Sequence, residues 1–437
     1  MLSLVLVSPA LASWNEQVLY SFQGGANDGF YPTGGVVFDK AGNLYGTTIG
    51  AGSGSCAPDA NECGLVYQLS PPAKKGGTWS ETIIVQFKGE ESQDASSPSG
   101  GLIIDSAGNL YGVTAYGGTG NCVLLGTKAG CGTVYELSPP QKNGGPWTET
   151  ILYSFQGGND GYFPLGDLTF DKAGDLYGAT DFGGGKGNSC NPYYGGNCGT
   201  VFKLSPPKQK GGTWSEQVVF SFAGPKDGAN PNGGLVLDNE GAIYGTTFAG
   251  GNSGGECGTA GCGTVFELKP PTRREKDWTE RQLHLFKAGS DGARPYAGVI
   301  FDAKGNIYGT TVGTVFRLAP SSKKSGEWKQ TILWQFNNNA YDSQGGLVFD
   351  RAHNLYGTTY SGNAFSGTIF RVRPPRQNGK PWAFSILYGF TGQPDGAQPD
   401  AGLVFGKAGT LYGTTFQGGS GTNCGFAGCG TVFKVWP

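Results

Sequence analysis

Histidine, the side chain that most often acts as a general base, is scarce in this chain. Only His284 and His353 occur among its 437 residues, and they fall at different points of the repeat described below. His284 lies in the fourth strand-like run of its copy, and His353 replaces a turn glycine on the face opposite the long loops. We therefore expect no Ser-His-Asp triad, Cys-His pair or histidine-based metal site at the face that carries the long loops. An enzyme would instead need paired carboxylates or a tyrosine or arginine base. The candidates are the charged residues that break the repeat, and the alternative is that these charges are ordinary solvated surface. Those charges are Asp59, Glu62, Asp181, Glu256 and Arg294.

One aspartate per copy of the repeat lies in an Asp-Gly or similar turn, and a ring of such carboxylates could hold Ca²⁺. The alternative is that each aspartate only makes its own turn, through Asx-type hydrogen bonds. Presence in every copy favours the turn, because a single metal site needs no sevenfold repetition. The series is Asp28, Asp94, Asp160, Asp227, Asp291, Asp342 and Asp395. A second series is interpreted as structural turn caps and comprises Asp39, Asp105, Asp171, Asp238, Asp302 and Asp350, with Gly406 in the last copy.

Aromatic residues follow the second strand-like run of most copies and are the candidate ligand-binding residues. Rings exposed beside Gly, Asn and Ser can stack on sugars while amides bind hydroxyl groups. The alternative is packing between neighbouring copies, and the spacing from the preceding threonine varies, so the rings cannot all point the same way. The candidates are Tyr116, Phe182, Tyr193, Tyr194, Phe248, Tyr360 and Phe416.

The ten cysteines form five local pairs, each inside one glycine-rich loop. Two copies lack both members of the pair and no copy retains a single one, as expected of bonded partners. With no histidine in these loops, five disulfides are favoured over zinc sites. The pairs are Cys56 and Cys63, Cys122 and Cys131, Cys190 and Cys198, Cys257 and Cys262, and Cys424 and Cys429. Such short loops indicate that the bonds fix loop shape.

The elements that must position these residues repeat seven times. Seven tryptophans mark the same point of each copy: Trp14, Trp79, Trp147, Trp214, Trp278, Trp328 and Trp382. Each copy contains four runs rich in Val, Ile, Leu, Tyr, Phe and Thr, with alternation of period two. In order, the runs are A (G-G-L-V-F-D), B (N-L-Y-G-T-T), C (G-T-V-F-x-L) and D (W-x-x-x-x-L-Y-S-F).

Four strands repeated seven times predict an all-β, seven-bladed β-propeller with four-stranded blades. The chain begins with run D and ends with run C, so residues 14–22 should complete the last blade and close the ring. A ring closed by both termini cannot be divided, which predicts a single domain over residues 13–437. The long B–C loops and the Asp-Gly turns would then share one face. The opposite face would carry the basic C–D loops, with Lys74, Lys75, Lys142, Lys208, Lys210, Arg273, Arg274, Lys323, Lys324 and Arg376.

Composition agrees with a turn-rich β protein. The chain has 80 Gly and 25 Pro, which discourage helices, but its 13% aromatic content is too high for a disordered linker. A net charge of −2 argues against a nucleic-acid partner. Residues 1–12 read as a signal peptide ending in Ala-Leu-Ala, and no segment is long and apolar enough to span a membrane. We therefore expect a monomer that is secreted, periplasmic or at the cell surface.

The repeated motif G-N-L-Y-G-T-T…G-C-G-T-V-F-x-L…L-Y-S-F-x-G-G-x-D-G resembles the GloVer tandem-repeat family of bacterial exported proteins across residues 14–436. The resemblance implies export but no defined activity. The V-F-D-x-x-G-N-L-Y half is also similar to NHL and gluconolactonase-type propellers, a more generic likeness.

Function is predicted at the face that carries the disulfide loops. The favoured hypothesis is a binding protein for a glycan or an extracellular protein, needing no cofactor unless Ca²⁺ binds the Asp-Gly turns. One alternative is a carbohydrate-active hydrolase or lyase that uses the non-repeated carboxylates. A second is a structural component of the cell surface. Candidate positions spread evenly around the ring favour binding over catalysis.

Overall fold

The seven copies form seven antiparallel sheets arranged as the blades of a ring, in a computed structural model of the chain. Six sheets have four strands, and in the seventh the innermost strand is divided into two short strands. The predicted seven-bladed β-propeller is confirmed. The predicted signal peptide, residues 1–12, lies outside the described residues. Within the described part of the chain, no helix is long and apolar enough to cross a bilayer. The described residues are 14–25, 27–51, 56, 63–74, 76–89, 92–124, 126–142, 144–185, 198–209, 211–251, 255–320, 327–337, 341–362, 366–377 and 379–437.

In each blade, strand A lies innermost and strand D outermost. The last blade takes its strand D from the N-terminus, β1 (Asn15–Ser21). Blade 1 comprises β2 (Val37–Phe38), β3 (Leu44–Thr48), β4 (Leu65–Ser70) and β5 (Ser80–Gln86). Blade 2 comprises β6 (Ala95–Pro98), β7 (Ile103–Ile104), β8 (Leu110–Gly117), β11 (Thr133–Ser138) and β12 (Thr148–Ser154), with a small loop hairpin of β9 (Val123–Leu124) and β10 (Thr127–Lys128). Blade 3 comprises β13 (Tyr162–Phe170), β14 (Leu176–Phe182), β15 (Thr200–Ser205) and β16 (Ser215–Ser221).

The remaining blades follow the same order. Blade 4 comprises β17 (Val236–Leu237), β18 (Ile243–Thr247), β19 (Thr264–Lys269) and β20 (Thr279–Leu285). Blade 5 comprises β21 (Ile300–Phe301), β22 (Ile307–Thr310), β23 (Thr314–Pro320) and β24 (Trp328–Gln335). Blade 6 comprises β25 (Val348–Phe349), β26 (Leu355–Thr359), β27 (Thr368–Arg373) and β28 (Ala383–Gly389). Blade 7 comprises β30 (Val404–Phe405), β31 (Leu411–Thr415), β33 (Thr431–Trp436) and β1, beside the short pair β29 (Gly396–Ala397) and β32 (Gln417–Gly418). Short 3₁₀ segments lie at Gly255–Ala260, Gly289–Asp291, Lys407–Gly409 and Gly425–Ala427.

The N-terminal strand closes the ring as the sequence predicts. Strand β1 pairs antiparallel with β33, with Asn15 opposite Trp436 and Ser21 opposite Thr431. The pairing covers the edge of β33 that would otherwise offer unpaired backbone groups to another chain.

The core lies between blades and is built from one aromatic contact repeated at every junction. The phenylalanine that ends run D packs edge-to-face on the aromatic ring of strand C in the next blade, with centroids 5.0–5.3 Å apart. Edge-to-face pairs add to the large apolar area that such rings bury. The pairs are Phe22–Tyr67, Phe87–Tyr135, Phe155–Phe202, Phe222–Phe266, Phe286–Phe316, Phe336–Phe370 and Phe390–Phe433.

The repeated tryptophan and the Gly-Thr-Thr motif also make contacts between neighbouring blades. Trp147 of blade 2 packs on Tyr45 of blade 1, with ring centroids 5.8 Å apart. The first threonine of the motif bonds the next blade: the Thr246 hydroxyl donates to the Ala297 carbonyl at 2.9 Å. The second threonine ties strand B to strand C within a blade, as in Thr247 and Thr264 at 2.9 Å. The repeat therefore encodes contacts between blades as much as the blades themselves.

The A–B turns confirm their predicted structural role. In blade 1, Asp39 accepts hydrogen bonds from the Asn43 backbone and side chain and from the Tyr45 hydroxyl. The turn then needs a residue with positive φ, supplied by Gly42 at +93° and, in blade 6, by His353 at +62°. His353 therefore takes the place of the turn glycine in the A–B turn of blade 6.

Candidate functional site: the channel mouth

The seven A strands surround a central channel of about 630 Å³. Neighbouring inner strands approach so closely that only glycine fits at several positions. A Cβ atom on Gly34 would lie 2.6 Å from the Gly100 carbonyl oxygen of the next blade. The pair that begins run A, mostly Gly-Gly, therefore allows the inner strands to approach closely around the channel.

Seven residues with positive φ stand at the channel mouth, on the face that carries the B–C loops. One occurs in every blade, three residues after the Asp of the D–A turn in six of the seven, and φ lies between +54° and +63°. None is glycine, although the chain contains 80 glycines and this conformation costs other residues about 1 kcal/mol or more. Glycine would adopt this φ without strain, so these seven side chains are candidates for a role at the mouth. We call these residues the mouth ring: Tyr31, Ser97, Phe163, Asn230, Arg294, Asp342 and Gln398.

The left-handed conformation lets the mouth ring join neighbouring blades. The backbone N–H of each member donates to a carbonyl oxygen just before strand C of the preceding blade, at 2.6–3.0 Å. In five junctions the acceptor is the second cysteine of a B–C loop; in the other two it is Val312 or Ser366. The cysteine acceptors are Cys63, Cys131, Cys198, Cys262 and Cys429.

The predicted disulfides are confirmed in the loops that the structure describes. The bonded pairs are Cys56–Cys63, Cys122–Cys131, Cys257–Cys262 and Cys424–Cys429. Cys198 is also disulfide-bonded, while its predicted partner Cys190 lies outside the described residues. Because the second cysteine carries the carbonyl that bonds the next blade, each disulfide braces a junction at the mouth as well as its own loop.

Removing one disulfide should therefore weaken one junction selectively. Replacing Cys257 and Cys262 together by alanine is expected to lower the free energy of unfolding by about 2 kcal/mol, the loop-closure value for so short a loop. Amide exchange at Arg294, whose N–H donates to the Cys262 carbonyl at 2.7 Å, should accelerate. Hydrogen exchange measured by mass spectrometry or NMR checks the second statement, and urea denaturation checks the first.

The neighbouring junction supplies the control for this experiment. The backbone N–H of Asp342 donates to the Val312 carbonyl at 3.0 Å without any disulfide, so its exchange should not change. Unchanged protection at Arg294 in the double variant would show that the bond does not brace the mouth.

Polar side chains are concentrated in one half of the mouth. Two residues beyond each mouth-ring member, a second side chain lines the channel. At these two positions, the mouth ring and the residue two further along, blades 1–3 have mainly small or apolar residues. Blades 4–7 have amides, carboxyl groups, a tyrosine and an arginine. The first group is Tyr31, Thr33, Ser97, Ser99, Phe163 and Leu165; the second is Asn230, Asn232, Arg294, Tyr296, Asp342, Gln344, Gln398 and Asp400. The polar side chains of the mouth are therefore distributed asymmetrically, unlike the aromatic candidate positions, which are spread around the ring.

Asp181 joins this polar half from strand B of blade 3. Its side chain is buried, and burial raises its pKa to about 7, opposed by a hydrogen bond from Asn230. With the Asn232 amide oriented so that nitrogen donates, Asn232 bonds Asp181 Oδ1 at 2.5 Å and the Asn230 carbonyl at 2.9 Å. The three residues form a hydrogen-bonded cluster between blades 3 and 4.

Tyrosine and carboxyl groups continue the polar half across blades 5–7. Burial, followed by the charge of Asp342, raises the pKa of Tyr296. Burial, followed by the charges of Asp400 and Asp342, raises the pKa of Tyr360. Arg294 lies over the Phe248 ring, 5.7 Å from its centroid. These groups offer hydrogen-bond donors, acceptors and an aromatic surface within one region.

The predicted aromatic candidates lie around the mouth, packed against neighbouring rings. Phe416 stacks on Tyr31 of the next blade at 4.6 Å, and Phe248 meets Tyr296 at 4.8 Å. Tyr116 packs on Phe163 at 5.0 Å. Phe182 is buried against Tyr162 and Phe163 of its own blade. Tyr360 is half-buried, and Tyr193 and Tyr194 lie outside the described residues.

Six of the Asp-Gly turn aspartates accept backbone hydrogen bonds within their turns, as the structural alternative requires. Asp28 accepts from Gln23 and Gly29, and Asp160 accepts from Gln156 and the Tyr153 hydroxyl. In strand D of blade 4, His284 takes the place of that tyrosine, 3.2 Å from Asp291. The assignment of Asp342 to this series is wrong, because it occupies the mouth ring. Calcium binding at these turns stays a prediction.

The mouth ring itself is not apparent from residue types, since its seven members share no chemistry. The proline that follows six of them is the one sequence signal that could have marked the position. Of the repeat-breaking charges, Arg294 and Asp181 reach the mouth, Glu256 is exposed on a loop, and Asp59 and Glu62 lie outside the described residues.

A sequence model of the Gloeobacter/Verrucomicrobia repeat matches residues 7–254 and 122–325, more than half of the chain. The chain belongs to this family. A search of curated proteins returns no match. The motif resemblance found in the sequence is thus confirmed.

Solved structures similar to this Gloeobacter/Verrucomicrobia repeat protein are propellers of distant sequence. One is the extracellular domain of a one-component system of B. thetaiotaomicron, with 12% identity and a TM-score of 0.49, covering 97% of this chain and 42% of that one. Another is named as an oxidoreductase (glucose dehydrogenase) of Thermus thermophilus, with 12% identity and a TM-score of 0.44, covering 97% and 100%. A third is named as a gluconolactonase, with 14% identity and a TM-score of 0.35, covering 69% and 80%. The chain spans less than half of the first. These likenesses concern the fold alone.

Proposed function

We propose that this protein binds a glycan at the channel mouth, and that it does so outside the cytoplasm, as a secreted, periplasmic or cell-surface protein. The observation that carries the proposal is the mouth ring: seven strained positions, none of them glycine, at equivalent places around one opening. Backbone strain of this kind clusters at functional sites. The disulfides support the compartment, because they persist in oxidising environments.

The side chains of the polar half favour a glycan over an apolar ligand. The amide groups of Asn232 and Gln344 line the channel, and the hydrogen-bonding capacity left by their contacts with Asp181 and Asp342 suits sugar hydroxyl groups. Tyr296 and Phe248 supply rings that can lie against a sugar face. Because these groups occupy one half of the mouth, the proposal is one asymmetric site rather than seven equivalent ones.

Glycine substitutions in the mouth ring test the proposal. At Arg294 and Asp342, glycine keeps the positive φ without strain and removes only the side chain, so folding should be preserved. A glycan array with and without Ca²⁺ identifies the ligand, and calorimetry then measures its affinity. Each substitution is expected to weaken binding about tenfold or more, the loss of one charged hydrogen bond.

Ser97, in the half of the ring with few polar groups, provides the matched control. Ser97→Gly makes the same backbone change and should alter affinity less than about twofold. An empty array, or equal effects of all three substitutions, would contradict a glycan site in the polar half. If the wild type binds no glycan on the array but binds a protein partner, the ligand of the mouth is a protein and the glycan proposal is wrong.

A further inference from the structure

One charged side chain interrupts a ring of glycines inside the channel. The second residue of the Gly-Gly pair is Gly35, Gly101, Gly234, Gly298, Gly346 or Gly402 in six blades, and all of them line the channel. In blade 3 the equivalent residue is Asp167. It lies two residues deeper than the level of Asn232 and Asp400, or about 7 Å along an extended strand. Asp167 therefore places a carboxyl group on the channel wall, deeper in the channel than the residues of the mouth.

The fold does not require this aspartate. Asp167 Oδ1 accepts the backbone N–H of Gly101 at 2.6 Å, joining blades 3 and 2. The six equivalent positions are glycine, so the ring closes at those junctions without a carboxylate. A structural role would leave the choice of an aspartate in one blade unexplained.

The channel supplies no positive side chain to balance this charge. Among the described lining residues there are two carboxyl groups, Asp167 and Asp400, and no Lys, Arg or His. Enclosure by protein raises the pKa of both, that of Asp400 to about 8. Oδ1 of Asp400 is shielded and makes no hydrogen bond to a described residue. The Asp167 side chain is exposed to the channel space, so a cation that enters the channel can reach its carboxylate.

We propose that the channel accepts the protonated amino group of its ligand and that Asp167 is the counter-ion of that group. This inference rests on the proposed glycan site and names its ligand class: an oligosaccharide with free amino groups, whose end enters the channel while the mouth holds the next sugars. A cavity of about 630 Å³ has room for such an end. A carboxylated sugar offers no cation to Asp167 and would place a second acidic group beside it.

Matched oligosaccharides test this directly. Glucosamine and N-acetylglucosamine oligomers of equal length are titrated by calorimetry at about pH 6, where the free amine is protonated. The wild type should bind the glucosamine oligomer at least about tenfold more tightly. Asp167→Gly, which restores the residue of the other six blades, should abolish this preference while the protein stays folded. Asp167→Asn, which keeps the volume but not the charge, should do the same.

The outcomes separate this inference from the proposed function. Equal binding of the two oligomers by the wild type, or a preference that survives in Asp167→Gly, overturns the amine site and leaves glycan binding intact. Asp167-dependent binding of Ca²⁺ alone, with no amine preference, also overturns it. An array empty of every glycan overturns both.

Discussion

Replacing Phe222 by alanine is expected to lower the free energy of unfolding by about 3–5 kcal/mol, the usual cost of deleting a buried aromatic ring. Phe222 is fully buried at the junction of blades 3 and 4, 5.2 Å from the Phe266 ring. The cavity would open in a cluster that draws on both blades, including Val201 and Leu235. Urea denaturation followed by tryptophan fluorescence measures the change.

Phe426 provides the control for this substitution. It is fully exposed on the loop closed by Cys424 and Cys429, where the matching loop of blade 4 has Thr259. Phe426→Ala should change the free energy of unfolding by less than about 0.5 kcal/mol. A loss below about 1 kcal/mol in Phe222→Ala would show that the repeated ring contact does not hold the junction.

Stability should also fall as the pH rises from about 5 to 8, because five blades partly bury a glutamate in strand D. Burial first, and a neighbouring aspartate second, raise these pKa values to about 7, or about 8 for Glu149. One oxygen of each is shielded without a hydrogen-bond partner among the described residues. The five are Glu16, Glu81, Glu149, Glu216 and Glu280.

The direction follows from proton binding. A carboxyl group with a raised pKa binds its proton more tightly in the folded state, so its stabilisation is complete below the unfolded pKa near 4.5 and is lost as the pH rises through 7–8. The turn aspartates with lowered pKa, such as Asp39 and Asp302, act oppositely and lose their contribution in more acidic solution. The melting temperature should therefore peak near pH 5 in a calorimetric series.

Blade 5 supplies a natural comparison for this effect. There the equivalent residue is Gln330, whose Nε2 donates to the Asp291 carbonyl oxygen at 3.0 Å. Glu81→Gln should raise the melting temperature at pH 8 with little effect at pH 5, and Gln330→Glu should lower it at pH 8. A melting temperature equal at pH 5 and 8 in the wild type would contradict the proposed cause.

The fold was predictable because its contacts recur. The same ring contact forms at every junction, so the phenylalanines that make it, such as Phe22, Phe222 and Phe390, occupy the same position in each copy of the repeat. The same holds for the turn glycines and for the cysteines, which are present or absent in pairs. Ring closure followed from the order of runs, since strand D at one end needs strands A to C at the other.

The site was less predictable because it depends on departures from the repeat. Nothing in the residue types of Ser97, Phe163 and Arg294 indicates that they share one backbone conformation. Equivalence appears only when φ and the inter-blade hydrogen bond are known. Asp342 illustrates the error that results, because it resembles the turn aspartates in type but stands three residues further along. The aromatic candidates Phe416, Phe248, Tyr116 and Phe182 pack against neighbouring rings, and their predicted binding role stays a prediction.

The pairing of β1 with β33 has a consequence for how copies of this chain meet one another. Six junctions join consecutive repeats, while the β1–β33 pairing brings together residues about 420 positions apart. Because its loop-closure cost is larger, we expect this pairing to form after the local junctions. Until then, β33 presents an open edge, and the β1 segment of any other copy fits it as well as its own. Refolding at high protein concentration therefore favours exchange of this strand between molecules, giving intertwined dimers in which each ring is completed by its neighbour.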